Sequence, residues 1–142
     1  MISLRQATII DAKLLFEMKN DPVMRKFSIK TNDKIKWDDH LEWLHYNLQY
    51  TYMIETDGVA CGDVRIKDNE VAIKIHKDFR GKGISTEVMM NVIEKYDSLT
   101  AKIVDGNVPS MRLFQKCGFK VVDHKDNYYI LKYENFINRT SL

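Results

Sequence analysis

Arg80-Gly81-Lys82-Gly83-Ile84-Ser85 is the stretch on which the reading of this chain turns. It follows an alternating apolar run, Val71, Ile73 and Ile75, and it opens a segment whose apolar residues recur at helical spacing. The six residues therefore stand where a strand passes into a helix. A helix start carries backbone N–H groups that have no intrahelical acceptor, glycines let a ligand approach closely, and Arg80 and Lys82 add positive charge. Arg80, Gly81, Lys82, Gly83, Ile84 and Ser85 thus read as a phosphate cradle, the alternative being a solvated turn with a basic rim. Two familiar cradles are excluded by spacing: a Walker loop needs four residues between its first glycine and Gly-Lys-Ser/Thr, and a dinucleotide fingerprint needs three glycines near the first strand.

The chain around this loop has 142 residues, 44% of them hydrophobic, which suits one domain with a real core. Lys and Arg number 22 against 20 Asp and Glu, too even a balance for a general nucleic-acid binder, so local charge must do any anion binding. A nucleic-acid partner is not expected. Cys61 and Cys117 are too few and too far apart for a zinc cluster or a disulfide framework, and read as reduced, packed residues. Met1-Ile2-Ser3-Leu4-Arg5 has no signal-peptide character and no apolar run approaches eighteen residues, so the expectation is a cytoplasmic chain without membrane contact.

Upstream of the loop, Ile2 and Leu4 suit a short strand, and a helix follows from Asp11 with Ile10, Leu14, Leu15 and Met18 on one face and Lys13, Glu17 and Lys19 outside. Pro22 ends that helix and starts a short one through Val23, Met24 and Phe27. Residues 28–36 read as a polar loop able to reach over a site. Trp37, Leu41, Leu44 and Leu48 give the next amphipathic helix; its His40 and His45 are five apart, on different faces, and read as exposed or capping residues, with no metal site expected. Strands over 50–54, 59–66 and 70–76 are joined by Asp57-Gly58 and Asp68-Asn69 turns.

Downstream, Ile84, Val88, Met89, Val92, Ile93 and Tyr96 form a helical stripe, 99–104 a strand, and Asn107, Pro109 and Ser110 open a last helix with Met111, Leu113, Phe114 and Cys117 inward and Gly118 as its stop. Val121-Val122 and residues 128–133 complete two strands. The whole is a mixed α/β domain over 1–135, with a polar tail over 136–142.

A second cluster, Asn107, Ser110 and Leu113-Phe114-Gln115-Lys116-Cys117-Gly118-Phe119, gives the loop its context. Arg80, Gly83 and Ser85 together with this cluster resemble the two motifs of the GNAT superfamily of acetyl-CoA-dependent N-acetyltransferases. The opening Leu4-Arg5 and Asp11-Ala12 also look like the family's first strand and helix, so the likeness covers essentially the whole chain. Within the family, Met18-Lys19-Asn20-Asp21-Pro22-Val23, Arg25 and Ser28, with Trp37, His40, Leu41 and Trp43, resemble members that acetylate amino-sugar nucleotides. Two departures stand out. Ser85 replaces the usual Gly or Ala, and Phe114 stands where many relatives have a tyrosine that protonates the leaving thiolate.

The resemblance implies a mainly antiparallel central sheet of six to seven strands flanked by helices on both faces. It also implies acetyl-CoA as cofactor, with the backbone of Ile73, Lys74 and Ile75 pairing with the pantetheine arm and Arg80 to Thr86 holding the pyrophosphate. Asn107, Ser110 and Phe114 would line the far side of the cofactor. Direct transfer needs a neutral amine; Glu70 is the first candidate for its base, with Asp63, His40 and His45 as competitors and an exposed ion pair as the alternative role for Glu70. Tyr128, or Tyr129, would be the acid. Arg25, Trp37 and His40 would meet the acceptor, an amino sugar nucleotide or else a protein N-terminus, lysine or small amine. A homodimer is a further expectation from the family. A coenzyme A sensor that never transfers is the reading from another class.

Overall fold

The computed structural model describes residues 1–30 and 32–135; the polar tail expected over 136–142 lies outside the described residues. Seven strands form one sheet in the order β1-β2-β3-β4-β5-β7-β6. They are β1 (Ile2–Gln6), β2 (Thr51–Thr56), β3 (Val59–Lys67), β4 (Glu70–Ile75), β5 (Ser98–Val104), β6 (Lys120–Lys125) and β7 (Tyr128–Glu134). Every neighbouring pair is antiparallel except β4 and β5, which makes this the mainly antiparallel sheet the sequence led us to expect. The β2–β3 and β3–β4 connections are tight because both of their central residues take left-handed backbone: Asp57 and Gly58 at φ 50° and 81°, Asp68 and Asn69 at 51° and 62°.

Helices cover both faces. α1 (Ala12–Lys19), α2 (Pro22–Lys26) and α3 (Trp37–Asn47) precede β2; α4 (Ile84–Ile93) follows β4, and α5 (Val108–Lys116) follows β5. On one face alternate residues of the strands, among them Ile54, Val64, Val71, Leu99 and Leu131, pack with Val88, Met89 and Val92 of α4 and Phe114 of α5. On the other, Met53 packs with Leu15 and Met18 of α1 and Leu44 of α3. The alternation is the strand period of two, and burying each such side chain contributes about 1.5–3 kcal/mol.

Two details of α1 differ from expectation. Ile10 is 89% exposed, because Ile9–Asp11 form a 3-10 turn that shifts the helical phase. Asp11 is buried in its stead, held by Arg5 through two hydrogen bonds of 2.8 and 2.9 Å and accepting from Thr8 N at 2.8 Å. The Arg5 guanidinium lowers the pKa of the Asp11 carboxyl below the ordinary carboxylate value. Lys19, expected outside, turns inward and is described below.

What positions the site is the junction of β4 and β5. β4 is paired with β3 along its whole length, yet with β5 only at Glu70 opposite Thr100. Past that bridge the parallel strands diverge, leaving a wedge in which the β5-facing edge of β4 from Val71 to Ile75 has no strand beside it. Parallel strands deliver the helices that follow them to the same end, so α4 and α5 both begin where the wedge opens. Crevices at the carboxyl ends of parallel strands are where open α/β sheets bind ligands.

Candidate active site

The glycine loop sits at the open end of the wedge. Gly81 and Gly83 have φ of 78° and 76°, a region that side-chain-bearing residues avoid, and a Cβ at either would meet nothing within 4 Å. Gly83 is the N-cap of α4, no side chain caps that end, and the first helical bond runs from Glu87 N to Gly83 O at 3.2 Å. The N–H groups of Ile84, Ser85 and Thr86 thus have no helical acceptor and lie at the positive end of the dipole. Ile84 offers only this N–H, its side chain being buried.

Arg80 has partners within the protein. Its Nε donates to Ile75 O at 3.1 Å, and Nη2 lies 3.6 Å from Asp21 Oδ1. It closes the end of β4 and ties it to the turn before α2, while Lys82, the other cation of the loop, has its Nζ 5.3 Å from the Phe79 ring centre. Asn107 caps α5, its Oδ1 accepting from Ser110 N at 3.3 Å, and both residues are half-exposed at the same end of the sheet. Phe114 is 3% exposed and meets Phe119 edge-on at 5.0 Å, which makes it a core residue; the expected contact with a cofactor is not available to its buried ring.

On β4, Ile73 and Ile75 face the α4 core and present only backbone to the wedge, while Lys74 faces α1 and α3. Glu70 is not brought to this end. It lies at the closed end of the wedge, roughly 17 Å along the strand from Ile75, and it pairs with Lys102 Nζ at 3.3 Å. Tyr128 is opposite Val104, the last residue of β5, and so stands at the open mouth; its ring is 5.8 Å from Lys102 Nζ. Tyr129 points to the other face and stacks on His124 at 4.1 Å.

Of the three residues expected at the acceptor, Trp37 is 41% exposed and packs edge-on against Phe16 at 5.0 Å, and Arg25 is half-buried on α2 with its Nε lacking a hydrogen-bond partner. His40 is wholly buried. Its Nε2 lies 2.7 Å from Ala12 O and therefore donates there, leaving Nδ1 as an acceptor. It cannot touch an acceptor, nor is it exposed or capping; burial lowers its pKa and keeps it neutral.

Around His40 the structure assembles a polar cluster that the sequence did not announce. Lys19 Nζ lies 3.4 Å from His40 Nδ1 and 3.0 Å above the Trp43 ring centre. Asp63, 1% exposed, meets Lys74 Nζ at 3.5 Å, and the Arg65 guanidinium carbon is 5.4 Å from the Trp43 ring centre. Asp63 thus serves Lys74, and Lys19 has no carboxylate within 4 Å among the described residues. Burial first, then the like charge of Lys74, lowers the pKa of Lys19 to about 6 from its ordinary 10.5. The sign for stability follows: between these values the unfolded chain holds a proton that the folded chain does not, so stability falls as pH drops from about 10.5 toward 6. Urea denaturation of Lys19→Met between pH 9 and 7 is expected to lack this slope, which solvent screening limits to about 1 kcal/mol per pH unit in the parent. The available signal was that Lys19 shares a helix face with Ala12 and Leu15, at i, i+3 and i+7.

Beside the cluster, a cavity of about 430 Å³ lies between α1, the turn before α2, Lys34 and the segment after β4. Phe16, Met18 and Pro22 give it an apolar wall; Lys13, Lys34 and Lys77 give it a basic rim, while its acids, Glu17 and Asp21, are engaged by His76 and Arg80.

Comparison with known proteins agrees with this arrangement. A domain of Methanocaldococcus jannaschii superposes with a TM-score of 0.85 at 24% identity, over 95% of this chain and 99% of that one. Spermidine N-acetyltransferase of Vibrio cholerae, solved with CoA and spermine, gives 0.81 at 14% identity over 94% and 95%. An acetyltransferase structure from Salmonella typhimurium, with its cofactor acetyl-CoA, gives 0.74 at 19% identity over 94% and 93%. In sequence, an uncharacterized protein of M. jannaschii is 24% identical over 135 residues; the match takes in 84% of this chain but only 28% of that protein, so the chain spans little more than a quarter of its relative. The acetyltransferase (GNAT) domain model matches residues 2–120, and with the wedge and the uncapped glycine-loop helix in place, the chain belongs to that family.

Proposed function

We propose that residues 1–135 form one acetyltransferase domain that moves the acetyl group of acetyl-CoA directly to a primary amine. One observation carries this reading: the unpaired edge of β4 leads straight to the uncapped N-terminus of α4. The edge offers backbone donors and acceptors to an amide-bearing pantetheine arm, and the N–H groups of Ile84, Ser85 and Thr86 suit a pyrophosphate, with Lys82 alongside. Asn107 and Ser110 would border the rest of the cofactor. Acetyl-CoA supplies the acyl group in activated form, as a thioester. A β4 N–H aimed at the thioester oxygen would stabilise the charge that develops there, a kind of contact commonly worth about 3 kcal/mol. Tyr128, at the mouth, would give a proton to the departing sulfur.

For the acceptor, the cavity favours an anionic molecule with a flat ring: three lysines from three separate segments surround an apolar wall containing Phe16. A nucleotide-linked amino sugar has both features. A polyamine, the kind of substrate named for the Vibrio protein, would meet a rim of its own charge. Radiolabelled acetyl-CoA offered with a uridine diphosphate-linked amino sugar, spermine and a short peptide tests the reading. Label is expected on the amino sugar, and its amount should fall at least tenfold in Lys13→Glu/Lys77→Glu. Coenzyme A binding with no label on any amine would identify a sensor instead.

A further inference from the structure

Residues 32–36, part of the loop expected to reach over a site, belong to no helix or strand, and all but Ile35 are exposed. One side chain holds them. The amide of Asn20, the residue that ends α1, donates from Nδ2 to Ile35 O at 3.0 Å and accepts at Oδ1 from Ile35 N at 2.7 Å. We propose that Asn20 is a positioning residue for the acceptor: by clamping this strap to α1 it fixes Lys34 on the rim of the cavity, where the lysine meets the acceptor's phosphates. The inference rests on the nucleotide-linked acceptor read above from that cavity.

The clamp takes the place of a strand rung. A side-chain amide carries a donor and an acceptor together, so one asparagine can satisfy both backbone groups of a residue that has no ladder partner. Only one orientation of the amide serves here, with its oxygen toward Ile35 N. The mount is rigid as well. Asn20 N donates to Phe16 O at 3.1 Å, while Asp21 accepts from Val23 N at 2.9 Å and lies 3.6 Å from Arg80 Nη2. The turn Asn20-Asp21-Pro22 thus holds the strap by one side chain and the end of β4 by the next, and all three residues line the cavity.

The three rim lysines are not held alike. Lys13 stands within α1 and Lys77 opens the 3-10 turn that follows β4, so regular backbone places both. Lys34 has no such support, and its backbone is fixed through the two bonds from its neighbour Ile35 to Asn20. A diphosphate spreads its charge over several oxygens and can be met from more than one side, and the strap supplies a side that α1 and the end of β4 do not. Holding the strap before the acceptor arrives also removes part of the ordering cost of binding.

Calorimetry with uridine diphosphate and trypsin digestion of the folded protein test the assignment. Asn20→Ala and Lys34→Ala should each weaken uridine diphosphate binding about tenfold, and the double variant no further than either alone, because both changes remove the same contact. Coenzyme A should bind all three as it binds the parent. Trypsin should cut after Lys34 about tenfold faster in Asn20→Ala, and also in Asn20→Asp, which keeps the size of the side chain but turns a second oxygen toward Ile35 O. An Asn20→Ala variant within about threefold of the parent in either measurement overturns the assignment, as does a double variant weakened about 100-fold, the product of two independent losses. A fall in coenzyme A affinity in Asn20→Ala overturns it too, by marking Asn20 as a support of the whole fold. These three results leave the acceptor reading standing. A parent that binds no uridine diphosphate and labels spermine or the peptide overturns that reading, and this assignment with it.

Discussion

Gly62→Ala is expected to leave the protein without a stable fold, a loss above about 4 kcal/mol. Gly62 lies on β3 opposite Ile75, and a Cβ there would fall inside van der Waals contact with the Lys74 carbonyl oxygen, 3.0 Å from Ile75 Cδ1 and 3.2 Å from Ile75 Cα. Two of these three atoms belong to the β4 backbone, which cannot turn aside as a flexible side chain would. The substitution must therefore push β4 away from β3, toward the wedge, and lift Lys74 from Asp63. Urea denaturation followed by circular dichroism reads the loss; a variant within about 1 kcal/mol of the parent would show that β4 does not lie so close.

Gly83→Val is expected to spare the fold and remove the cofactor. No protein atom lies within 4 Å of its Cβ position, so nothing inside the molecule resists the side chain. Backbone strain at φ 76° costs about 1–2 kcal/mol and should lower Tm by several degrees. The branched side chain would stand over the N–H groups of Ile84 to Thr86, and calorimetry should record coenzyme A binding at least 100-fold weaker. Gly118→Ala, at φ 97° beyond the far end of α5, carries comparable strain away from the loop and should leave that affinity unchanged. Undiminished binding in Gly83→Val would sink the cradle assignment.

Features set by neighbouring residues were legible in the sequence. The Asp57-Gly58 turn, the α4 stripe and the Asn107 cap are local devices, and the structure has each of them. Harder to read was whatever depended on distant partners. Nothing in the residues of β4 and β5 says that they pair at one position only. Adjacency along the chain made Glu70 look close to the loop, though β4 is six residues of extended strand and Glu70 is its far end. Lys19 and His40 look like surface groups until each is seen to have found its partner on another helix. The rim of the cavity is assembled from Lys13, Lys34 and Lys77, single lysines in three unrelated segments, and none forms a pattern by itself.

The single bridge between Glu70 and Thr100 also divides the sheet into two blocks that are consecutive in the chain, β1 to β4 and then β5 to β7. Across that seam strand hydrogen bonding nearly vanishes, and the shared layer of α4 and α5 side chains does most of the joining. A molecule lying in the wedge with amides of its own would supply rungs that the backbone omits. It would act as a keystone as well as a reactant, so that each departure of product momentarily removes a piece of the architecture.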